Sequence, residues 1–468
     1  MYSHRSTIFK EAIGFQKTFF EKKANSNILE RTLAEYIESL GILLEKPKTQ
    51  HTIEEFEQFS KKLFYSTIVG LSFLDLNKDE IQKAEELLSA FIRKQKLMIE
   101  NRKKILIITI RAGHGHTSAA KAILAGMHEK YGYDAEVVLK EIPVDLNSFY
   151  ETTVKHTPKL YQWMFESTDS KEGMALVHGF GYPMFAGKLD TIIEEENPDI
   201  VVSTYSFPGI NHWIKRSLRQ NKKYIPFVTV ITDSISIHEM WYGKDVDYYI
   251  VANEETKEAV IEKGYAKSKV KVLGFPVHPK FFHSLSKEEA RQSLHIQTEK
   301  QVFLMSVGTG SKLKDIEWVK NFNQRCGKHA KLIMILARNE VLFQKLEKMN
   351  LGDNVTLIKW VDNMYAYMKA ADVIITKAGG ATVMECIAAR RPMIITKVLP
   401  GQEQGNAELI KKYNIGVIME KNQNILDVVE NLAIDKSTLK QFDNGFAKAT
   451  ITEGTFAICD FLQKMLIQ

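Results

Sequence analysis

The segment that decides the fold runs from Asp372 to Glu385 and reads DVIITKAGGATVME. Its β-branched run, Val373–Thr376, predicts a strand buried on both faces, and the pair Gly379–Gly380 predicts a tight turn into a helix. The unsatisfied N–H groups and the dipole at a helix N-terminus favour phosphate. Glu385 lies one turn inside that helix, where a carboxylate can accept hydrogen bonds from paired ribose hydroxyls. The segment therefore predicts a site for a phosphorylated ribose compound.

A second polar segment follows the next predicted strand. It runs from Pro400 to Asn406 and reads PGQEQGN, so side-chain donors and acceptors are crowded between glycines. Such groups suit a polyhydroxyl sugar, although a plain surface loop is the alternative. In the two segments, the residues predicted to bind a sugar-nucleotide donor are Thr376, Gly379, Gly380, Ala381, Thr382, Glu385, Gln402, Glu403, Gln404 and Asn406.

The same alternation of buried strands and helical segments fills the chain after residue 102. In the first half the predicted strands are Lys103–Ile110, Ala135–Leu139, Ile200–Ser203, Phe227–Thr232, Tyr248–Val251 and Val270–Leu273. In the second half they are Val302–Val307, Lys331–Leu336, Val355–Lys359, Val373–Thr376 and Met393–Thr396. This alternation predicts parallel sheets with crossover helices. Two α/β domains, 101–277 and 278–468, are expected to face each other across a cleft, which is the natural place for a ligand.

Residues 1–100 follow a different pattern. Apolar residues recur there at helical spacing and predict three amphipathic helices, at 27–44, 52–70 and 77–99. No catalytic motif occurs in this helical extension, and oligomerisation or regulation is the role expected for it.

Composition narrows the class of protein. Hydrophobic residues at 44% and charged residues at 26% are typical of a soluble globular protein. The 63 basic and 57 acidic residues give a net charge of +6, which fits a nucleotide or an anionic lipid surface without requiring either. No stretch reaches the roughly 18 to 20 apolar residues that span a bilayer. The cysteines Cys326, Cys386 and Cys459 form no metal-binding pattern and indicate a reducing compartment. We expect a cytoplasmic protein that lies on a membrane, with no metal and no nucleic-acid partner.

The first half has its own glycine-rich turn. Residues 111–118 read RAGHGHTS, where Gly115 permits close backbone approach and His116 lies at the mouth of the expected cleft. The motif is neither GxGxxG nor a P-loop. Asp233 follows a predicted strand. Its carboxylate is expected to hold His116 in one tautomer and to favour the protonated imidazole. The alternative is that Asp233 caps the N-terminus of a helix. We predict that His116 and Asp233 are catalytic.

A third glycine-rich turn opens the second half. Residues 306–312 read SVGTGSK, and Gly308, Thr309 and Gly310 are predicted to let backbone amides approach a diphosphate, although an ordinary turn uses the same residues. We assign these three residues, together with Gly115, to donor binding.

Aromatic and basic clusters mark a candidate acceptor or membrane surface. Residues 143–188 are rich in aromatic side chains, which either pack within a helical excursion or contact an acceptor or membrane. Basic and aromatic groups between Trp213 and Lys223 either contact anionic headgroups or form a solvated helix face. The residues assigned to acceptor or membrane contact are His238, Trp241, Trp163, Lys215, Arg216 and Arg219.

From about residue 103 to 460 the sequence resembles glycosyltransferase family 28, and within it the group of monogalactosyldiacylglycerol synthases and processive diacylglycerol glucosyltransferases. The resemblance is carried by GHGHTSAA at 113–120, by GFPVHP at 274–279 and by the paired motifs ending in Glu385 and Asn406. It implies a GT-B fold, a UDP-glucose or UDP-galactose donor with no further cofactor, inversion at the anomeric carbon and a lipid acceptor such as diacylglycerol.

The resemblance also implies roles for individual residues. His116 matches the family's essential histidine, Thr376–Thr382 its diphosphate turn and Glu385 its ribose ligand. The sugar-contacting loop is matched by Glu403, Gln404 and Asn406, and the acceptor side by Thr232, Asp233, His238 and Trp241. In the expected single displacement His116 is the general base or an orienting group.

Three alternatives use a similar architecture. A transferase acting on an undecaprenyl-linked intermediate would take UDP-N-acetylglucosamine, an epimerase would convert a UDP-sugar without an acceptor, and a catalytically idle sensor would bind UDP-sugar without turnover.

Overall fold

The computed structural model of the protein describes residues 102–110, 115–132, 135–142, 163, 166–205, 210–219, 223–235, 237–242, 246–307, 313, 316–337, 339–399, 403–449 and 454–467. The predicted helical extension at 1–100 lies outside the described residues. So do four residues predicted to bind the donor, Gly308, Thr309, Gly310 and Gln402.

Six strands form the N-terminal sheet in the order β2-β1-β3-β4-β5-β6. The strands are β1 Lys103–Ile110, β2 Ala135–Ile142, β3 Ile200–Ser203, β4 Phe227–Val230, β5 Tyr248–Val251 and β6 Val270–Val272. The pairs β1–β3, β3–β4, β4–β5 and β5–β6 are parallel. The helices of this N-terminal lobe are α1 Gly115–Tyr131, α2 Lys171–Glu196, α3 Ile210–Arg219 and α4 Glu254–Glu262. Short 3-10 turns occupy Glu239–Trp241 and Lys267–Lys269.

The strand order of the N-terminal lobe locates its ligand site. Because β2 lies on one side of β1 and β3 lies on the other, the order changes direction between β1 and β3. Open parallel sheets bind ligands beyond the carboxyl ends of their strands at such a point. Helix α1 begins there with Gly115 and His116, and Thr204 follows β3.

A second set of six strands forms the C-terminal sheet, in the order β12-β11-β10-β7-β8-β9 with every neighbouring pair parallel. The strands are β7 Gln301–Ser306, β8 Ala330–Ile335, β9 Val355–Ile358, β10 Val373–Thr376, β11 Met393–Ile395 and β12 Gly416–Ile418. The order changes direction between β7 and β10, so the Gly379–Gly380 turn lies at the switch point of this C-terminal lobe.

Nine α-helices follow in the described part of the C-terminal half. They are α5 Lys287–Ser293, α6 Phe322–Cys326, α7 Glu340–Glu347, α8 Met364–Ala370, α9 Gly380–Ala389, α10 Gln404–Tyr413, α11 Ile425–Ile434, α12 Lys436–Lys448 and α13 Gly454–Ile467. Short 3-10 turns occupy Pro279–Phe281 and Glu317–Asn321.

Each sheet is enclosed in an apolar core. One core includes the fully buried Phe303 and Ile374, and the other includes Phe227 and Tyr249. Strands without a solvent face explain the continuous apolar runs in the sequence. The predicted α/β fold with two Rossmann-like sheets is confirmed, whereas the three-residue strand β12 was not predicted.

The last helix returns to the N-terminal half. In α13, Thr455 donates a hydrogen bond to the carbonyl oxygen of Val277, and the Phe461 ring meets the ring of Tyr248 edge to face at 5.1 Å. Helix α13 therefore packs on elements of the N-terminal lobe, although it lies within the predicted C-terminal domain.

The chain divides into two compact units. One comprises 1–103 with 128–136, of which only the residues named above are described. The other comprises 104–127 with 137–468 and contains the site residues considered below.

Candidate active site

His116 is held by main-chain and hydroxyl groups at the switch point of the N-terminal lobe. Its Nδ1 lies 3.1 Å from the carbonyl oxygen of Thr204 and 2.7 Å from Oγ1 of Thr232. The hydroxyl of Thr204 in turn donates to the carbonyl oxygen of His116 at 3.1 Å. The Tyr205 ring meets the imidazole edge to face at 4.6 Å, and the Trp241 ring lies 5.8 Å away. Three segments of chain therefore fix one imidazole.

Burial sets the charge of this imidazole. Desolvation disfavours the protonated form and lowers the pKa of His116 to about 4, and the hydrogen bond to Thr204 offsets only part of that effect. His116 is therefore neutral at neutral pH. The expectation that its protonated form would be favoured is wrong, because burial outweighs hydrogen bonding.

Asp233 forms its hydrogen bond with Trp241 and not with His116, the partner expected from the sequence. Its Oδ2 accepts a hydrogen bond of 2.6 Å from the indole Nε1 of Trp241, and no hydrogen bond joins it to His116 among the described residues. Burial raises the pKa of Asp233 to about 6, and the indole N–H partly offsets this. The predicted tautomer-fixing pair is replaced by an Asp233–Trp241 pair beside the imidazole.

His238 and Trp241 were predicted to contact an acceptor or membrane, but the structure buries both. Trp241 is 0% exposed and His238 is 2% exposed. The Nδ1 of His238 accepts from the backbone N–H of Met240, and its Nε2 lies 3.3 Å from Oγ1 of Thr168. Nδ1 thus caps the 3-10 turn at Glu239–Trp241, and Nε2 connects that turn to Thr168, so both side chains serve the packing of this region.

The donor turn of the C-terminal lobe ends in an open helix N-terminus. Helix α9 begins at Gly380, with Gly379 as its N-cap residue and without a side-chain cap. The N–H groups of the first turn therefore have no intrahelical partner and no side-chain cap. Thr376 is buried at the end of β10, where its carbonyl oxygen accepts from Thr396. This geometry suits a phosphate group.

Glu385 lies in the second turn of the same helix and is half-buried. Desolvation raises the pKa of its carboxyl to about 7. A carboxylate that is poorly solvated and close to an anion site gains stability when hydroxyl groups donate hydrogen bonds to it. Its position fits the predicted role as ribose ligand.

Glu403 joins the two loops of the donor site. Its Oε1 accepts from Nζ of Lys377 at 2.5 Å, and its Oε2 accepts from the backbone N–H of Leu399 at 3.0 Å. Asn406 extends this connection, since its Nδ2 donates to the carbonyl oxygen of Ala378 at 2.9 Å. Its buried Oδ1 has no hydrogen-bond partner within the described residues. Gln404 begins α10 and is exposed.

The two switch points meet each other. A Cβ atom placed on Gly115 would lie 3.6 Å from the Cβ of Ala381, and one placed on Gly380 would lie 3.0 Å from the carbonyl oxygen of Thr232. Gly115, which precedes His116, and Thr232, whose hydroxyl contacts its imidazole, therefore lie against the first turn of α9.

The remaining predicted contacts lie on the surface. Trp163 is 64% exposed, and Arg216 and Arg219 are exposed at the C-terminal end of α3. Lys215 is half-buried, and its Nζ forms an ion pair with Oδ2 of Asp247 at 3.1 Å. Their assignment to acceptor or membrane contact stays a prediction.

Thr204 is a site residue that the sequence analysis did not assign, and Lys377 entered that analysis only as part of the turn Thr376–Thr382. Thr204 directly follows β3, so it could have been assigned to the site once the strand order had shown that β3 borders the switch point. Lys377 directly precedes the glycine turn, and its partner Glu403 is 26 positions away. Neither pairing is visible in local sequence.

Two kinds of feature are absent from the described ranges. None of the helices is both long and apolar enough to cross a membrane. No group of three or more His, Cys, Asp or Glu side chains in the same ranges is arranged to hold a metal ion.

Comparison with known proteins identifies the class. Two parallel six-stranded sheets, each with a change of strand order, define a two-lobed α/β fold of the GT-B type. A solved calicheamicin glycosyltransferase superimposes with a TM-score of 0.52 at 15% identity, over 79% of this chain and 99% of that one. At this identity the likeness concerns the fold alone.

Sequence comparison covers both halves of the chain. Residues 116–277 match the monogalactosyldiacylglycerol synthase model, and residues 304–450 match the glycosyltransferase family 28 C-terminal domain. The two matches indicate a UDP-sugar-dependent hexosyltransferase that is similar to members of glycosyltransferase family 28.

Named relatives cover most of the chain. A processive diacylglycerol beta-glucosyltransferase of Staphylococcus epidermidis is 26% identical over 378 residues, which is 79% of this chain and 94% of that protein. A probable chloroplastic monogalactosyldiacylglycerol synthase of Oryza sativa is 28% identical over 376 residues, covering 76% and 73%.

Proposed function

We propose that the protein is an inverting enzyme that transfers hexose from UDP-glucose or UDP-galactose to a lipid acceptor, diacylglycerol. The observation that carries the proposal is that the residues on either side of the half-buried, neutral imidazole of His116, namely Gly115 and Thr232, lie against the first turn of α9, whose N-terminus has no side-chain cap. The names of the relatives, which are diacylglycerol glucosyltransferases and a monogalactosyldiacylglycerol synthase, supply the acceptor class.

The reaction is a single displacement. The acceptor hydroxyl oxygen attacks the anomeric carbon while the bond from that carbon to the diphosphate oxygen breaks, so configuration inverts and UDP leaves. The hydroxyl proton passes to Nε2 of His116, since Nδ1 faces Thr204 and Thr232. The neutral state of the imidazole makes it competent to accept that proton.

The donor site stabilises the leaving group. Backbone N–H groups of the Gly379–Gly380 turn and the dipole of α9 face the charge that develops on the diphosphate. Lys377, which is 55% exposed in its side chain, adds positive charge beside the turn. Glu385 accepts hydrogen bonds from the ribose, and Glu403 and Asn406 hold the loop that contacts the hexose.

Transfer assays test the proposal. Purified protein is mixed with diacylglycerol vesicles and radiolabelled UDP-glucose or UDP-galactose, and label in the lipid fraction is measured for wild type, His116→Ala and Glu385→Ala. We expect transfer from at least one donor and a loss of about a hundredfold or more in His116→Ala, the usual size of a general-base contribution. Unchanged rates in both variants would remove the assignment.

The same assay separates the rival functions. Product masses distinguish a hexosyl lipid from an N-acetylglucosaminyl lipid, and an epimerase would change the UDP-sugar without any acceptor. A sensor would bind UDP and give neither product.

The protein also contacts the membrane from the cytoplasmic side in this proposal. The basic end of α3 adjoins a cavity of about 490 Å³ whose lining includes Lys215, Arg219, Lys223 and Lys269. Asp247 also lines this cavity and pairs with Lys215, and Lys223 pairs with Asp199. The opening therefore has a net positive charge, which favours anionic headgroups. Because α3 runs from the carboxyl end of β3 towards the amino end of β4, this surface lies at the edge of the sheet opposite His116. In this proposal the surface binds the membrane and does not deliver the acceptor to His116.

Vesicle co-sedimentation tests the membrane contact. We expect the protein to sediment with phosphatidylglycerol vesicles more than with phosphatidylcholine vesicles, and the paired substitution Arg216→Ala and Arg219→Ala to reduce that binding. Lys421→Ala is the matched control, since Lys421 is exposed in the C-terminal lobe. Equal sedimentation of all three proteins would contradict the contact.

A further inference from the structure

The hydrogen bonds at His116 define which of its nitrogens carries the proton. The carbonyl oxygen of Thr204 is an acceptor only, and it lies 3.1 Å from Nδ1. Nδ1 must therefore carry hydrogen, because a lone pair there would face the lone pairs of the carbonyl. In the neutral imidazole this leaves Nε2 unprotonated and able to accept a proton.

The hydroxyl of Thr232 shares that hydrogen. Its Oγ1 lies 2.7 Å from the same Nδ1, closer than the carbonyl oxygen. Since Nδ1 has one hydrogen, which points between the two oxygens, Oγ1 acts as a second acceptor and turns its own hydrogen elsewhere. Two acceptors on different strand ends fix both the tautomer and the rotation of the ring.

Thr232 also contacts the donor turn. Its carbonyl oxygen lies 3.0 Å from the point where a Cβ on Gly380 would stand. The side chain of this residue therefore orients the imidazole while its main chain packs against the first residue of α9.

Asp233 does not take the orienting role. Its Oδ2 accepts a hydrogen bond of 2.6 Å from the indole of Trp241, whose ring centroid lies 5.8 Å from that of the imidazole. His116 thus has neutral oxygen acceptors on Nδ1 where many catalytic histidines have a carboxylate.

We propose that Thr232 is a positioning residue, which holds His116 as the Nδ1–H tautomer with Nε2 free and sets the imidazole against the first turn of α9. This inference rests on the proposed function of His116 as general base. Under this inference, Thr232 sets the orientation of the imidazole relative to the first turn of α9.

Two substitutions separate the hydroxyl from the rest of the side chain. Thr232→Val keeps the branched shape and removes the acceptor, whereas Thr232→Ser keeps the acceptor. We expect Thr232→Val to lower kcat by about tenfold to a hundredfold with KM for the UDP-hexose within about twofold, since the donor groups are untouched. Thr232→Ser is expected to stay within about threefold of wild type. A kcat for Thr232→Val equal to that of wild type would overturn the proposal.

A spectroscopic readout keeps the test independent of turnover. Nitrogen-15 NMR, with the His116 signals assigned by their loss in His116→Ala, reports the tautomer directly. We expect the Nδ1–H form in wild type and Thr232→Ser. In Thr232→Val only the carbonyl oxygen of Thr204 remains as acceptor, so we expect the ring to rotate away from it in part of the molecules and the Nε2–H form to appear there. An Nε2–H imidazole in wild type would overturn the inference even if hexose transfer were intact. Absent transfer with the expected tautomers would instead count against the proposed function alone.

Discussion

Replacing Glu385 with glutamine tests the donor site through its charge. Burial raises the pKa of this carboxyl to about 7, so the unliganded protein keeps it protonated below that pH. Ribose hydroxyls donate hydrogen bonds and favour the carboxylate, so binding must lower the pKa and release a proton. Donor affinity is therefore expected to rise as the pH increases towards and above 7.

The size of this effect follows from the pKa. At about pH 6, one unit below the pKa, deprotonating Glu385 costs about 1.4 kcal/mol, whereas at about pH 8 the cost is roughly 0.1 kcal/mol. The dissociation constant of UDP-glucose is thus expected to be about tenfold weaker at the lower pH. UDP-glucose is the better probe than UDP, because its diphosphate has no ionisation in this range.

Calorimetry measures the effect without any acceptor. Titrations in buffers of different ionisation enthalpy also report the proton that is released. Glu385→Gln is expected to bind more weakly, with a dissociation constant that changes by less than about twofold across the range, and to release no proton. A wild-type affinity that is flat between about pH 6 and pH 8, or an equal slope in Glu385→Gln, would refute this reasoning.

Three further predictions concern close packing and charge. Gly380→Ala is expected to lower kcat roughly tenfold, because its methyl would stand 3.0 Å from a carbonyl oxygen of the N-terminal lobe; Gly187→Ala, with open space around it, is the control. Gly126→Ala is expected to destabilise the protein by about 1–3 kcal/mol in urea unfolding, since its methyl would lie 2.5 Å from Cγ2 of Thr455; unchanged stability would contradict the close packing of α1 on α13. Burial lowers the pKa of His116 to about 4, so kcat at saturating donor should stay level down to about pH 5. A fall in kcat below about pH 6.5 would mean that His116 has the pKa of an ordinary imidazole and would contradict this prediction.

Strands and turns that are determined by a continuous stretch of sequence were predictable. Strand β10 and helix α9 are specified by one continuous segment, in which a buried β-branched run precedes two glycines. Strands β3 and β5 also have the predicted bounds, because a strand covered on both faces is a short apolar run. Strand β12 was missed, since Gly416–Ile418 is too short to show a period.

Pairings between distant residues were not predictable. Asp233 follows its strand as expected, but the donor that reaches its carboxylate is the indole of Trp241 rather than the imidazole of His116. Which donor reaches a buried carboxylate depends on how the loop after β4 turns, and the sequence does not encode that locally. The burial of His238 and Trp241 could not be predicted for the same reason. A loop of polar and aromatic residues has the same kind of sequence whether its side chains face solvent or the core.

The roles assigned to individual donor residues stay predictions. Thr376, Glu385, Glu403 and Asn406 lie around one helix N-terminus, which agrees with their assigned contacts but does not identify the ligand. The domain boundaries at 100 and 277 also stay predictions, and the return of α13 to the N-terminal lobe is a feature that sequence patterns do not reveal.

Lipid analysis after expression in a host that makes no glycolipids tests the central claim most directly. Mass spectrometry of the extracted lipids is expected to show diacylglycerol carrying hexose in cells with the wild-type protein and none in cells with Glu385→Ala at equal protein level. If wild-type protein accumulates in folded form and binds UDP-hexose, yet no hexosyl diacylglycerol appears, the chain does not catalyse this transfer.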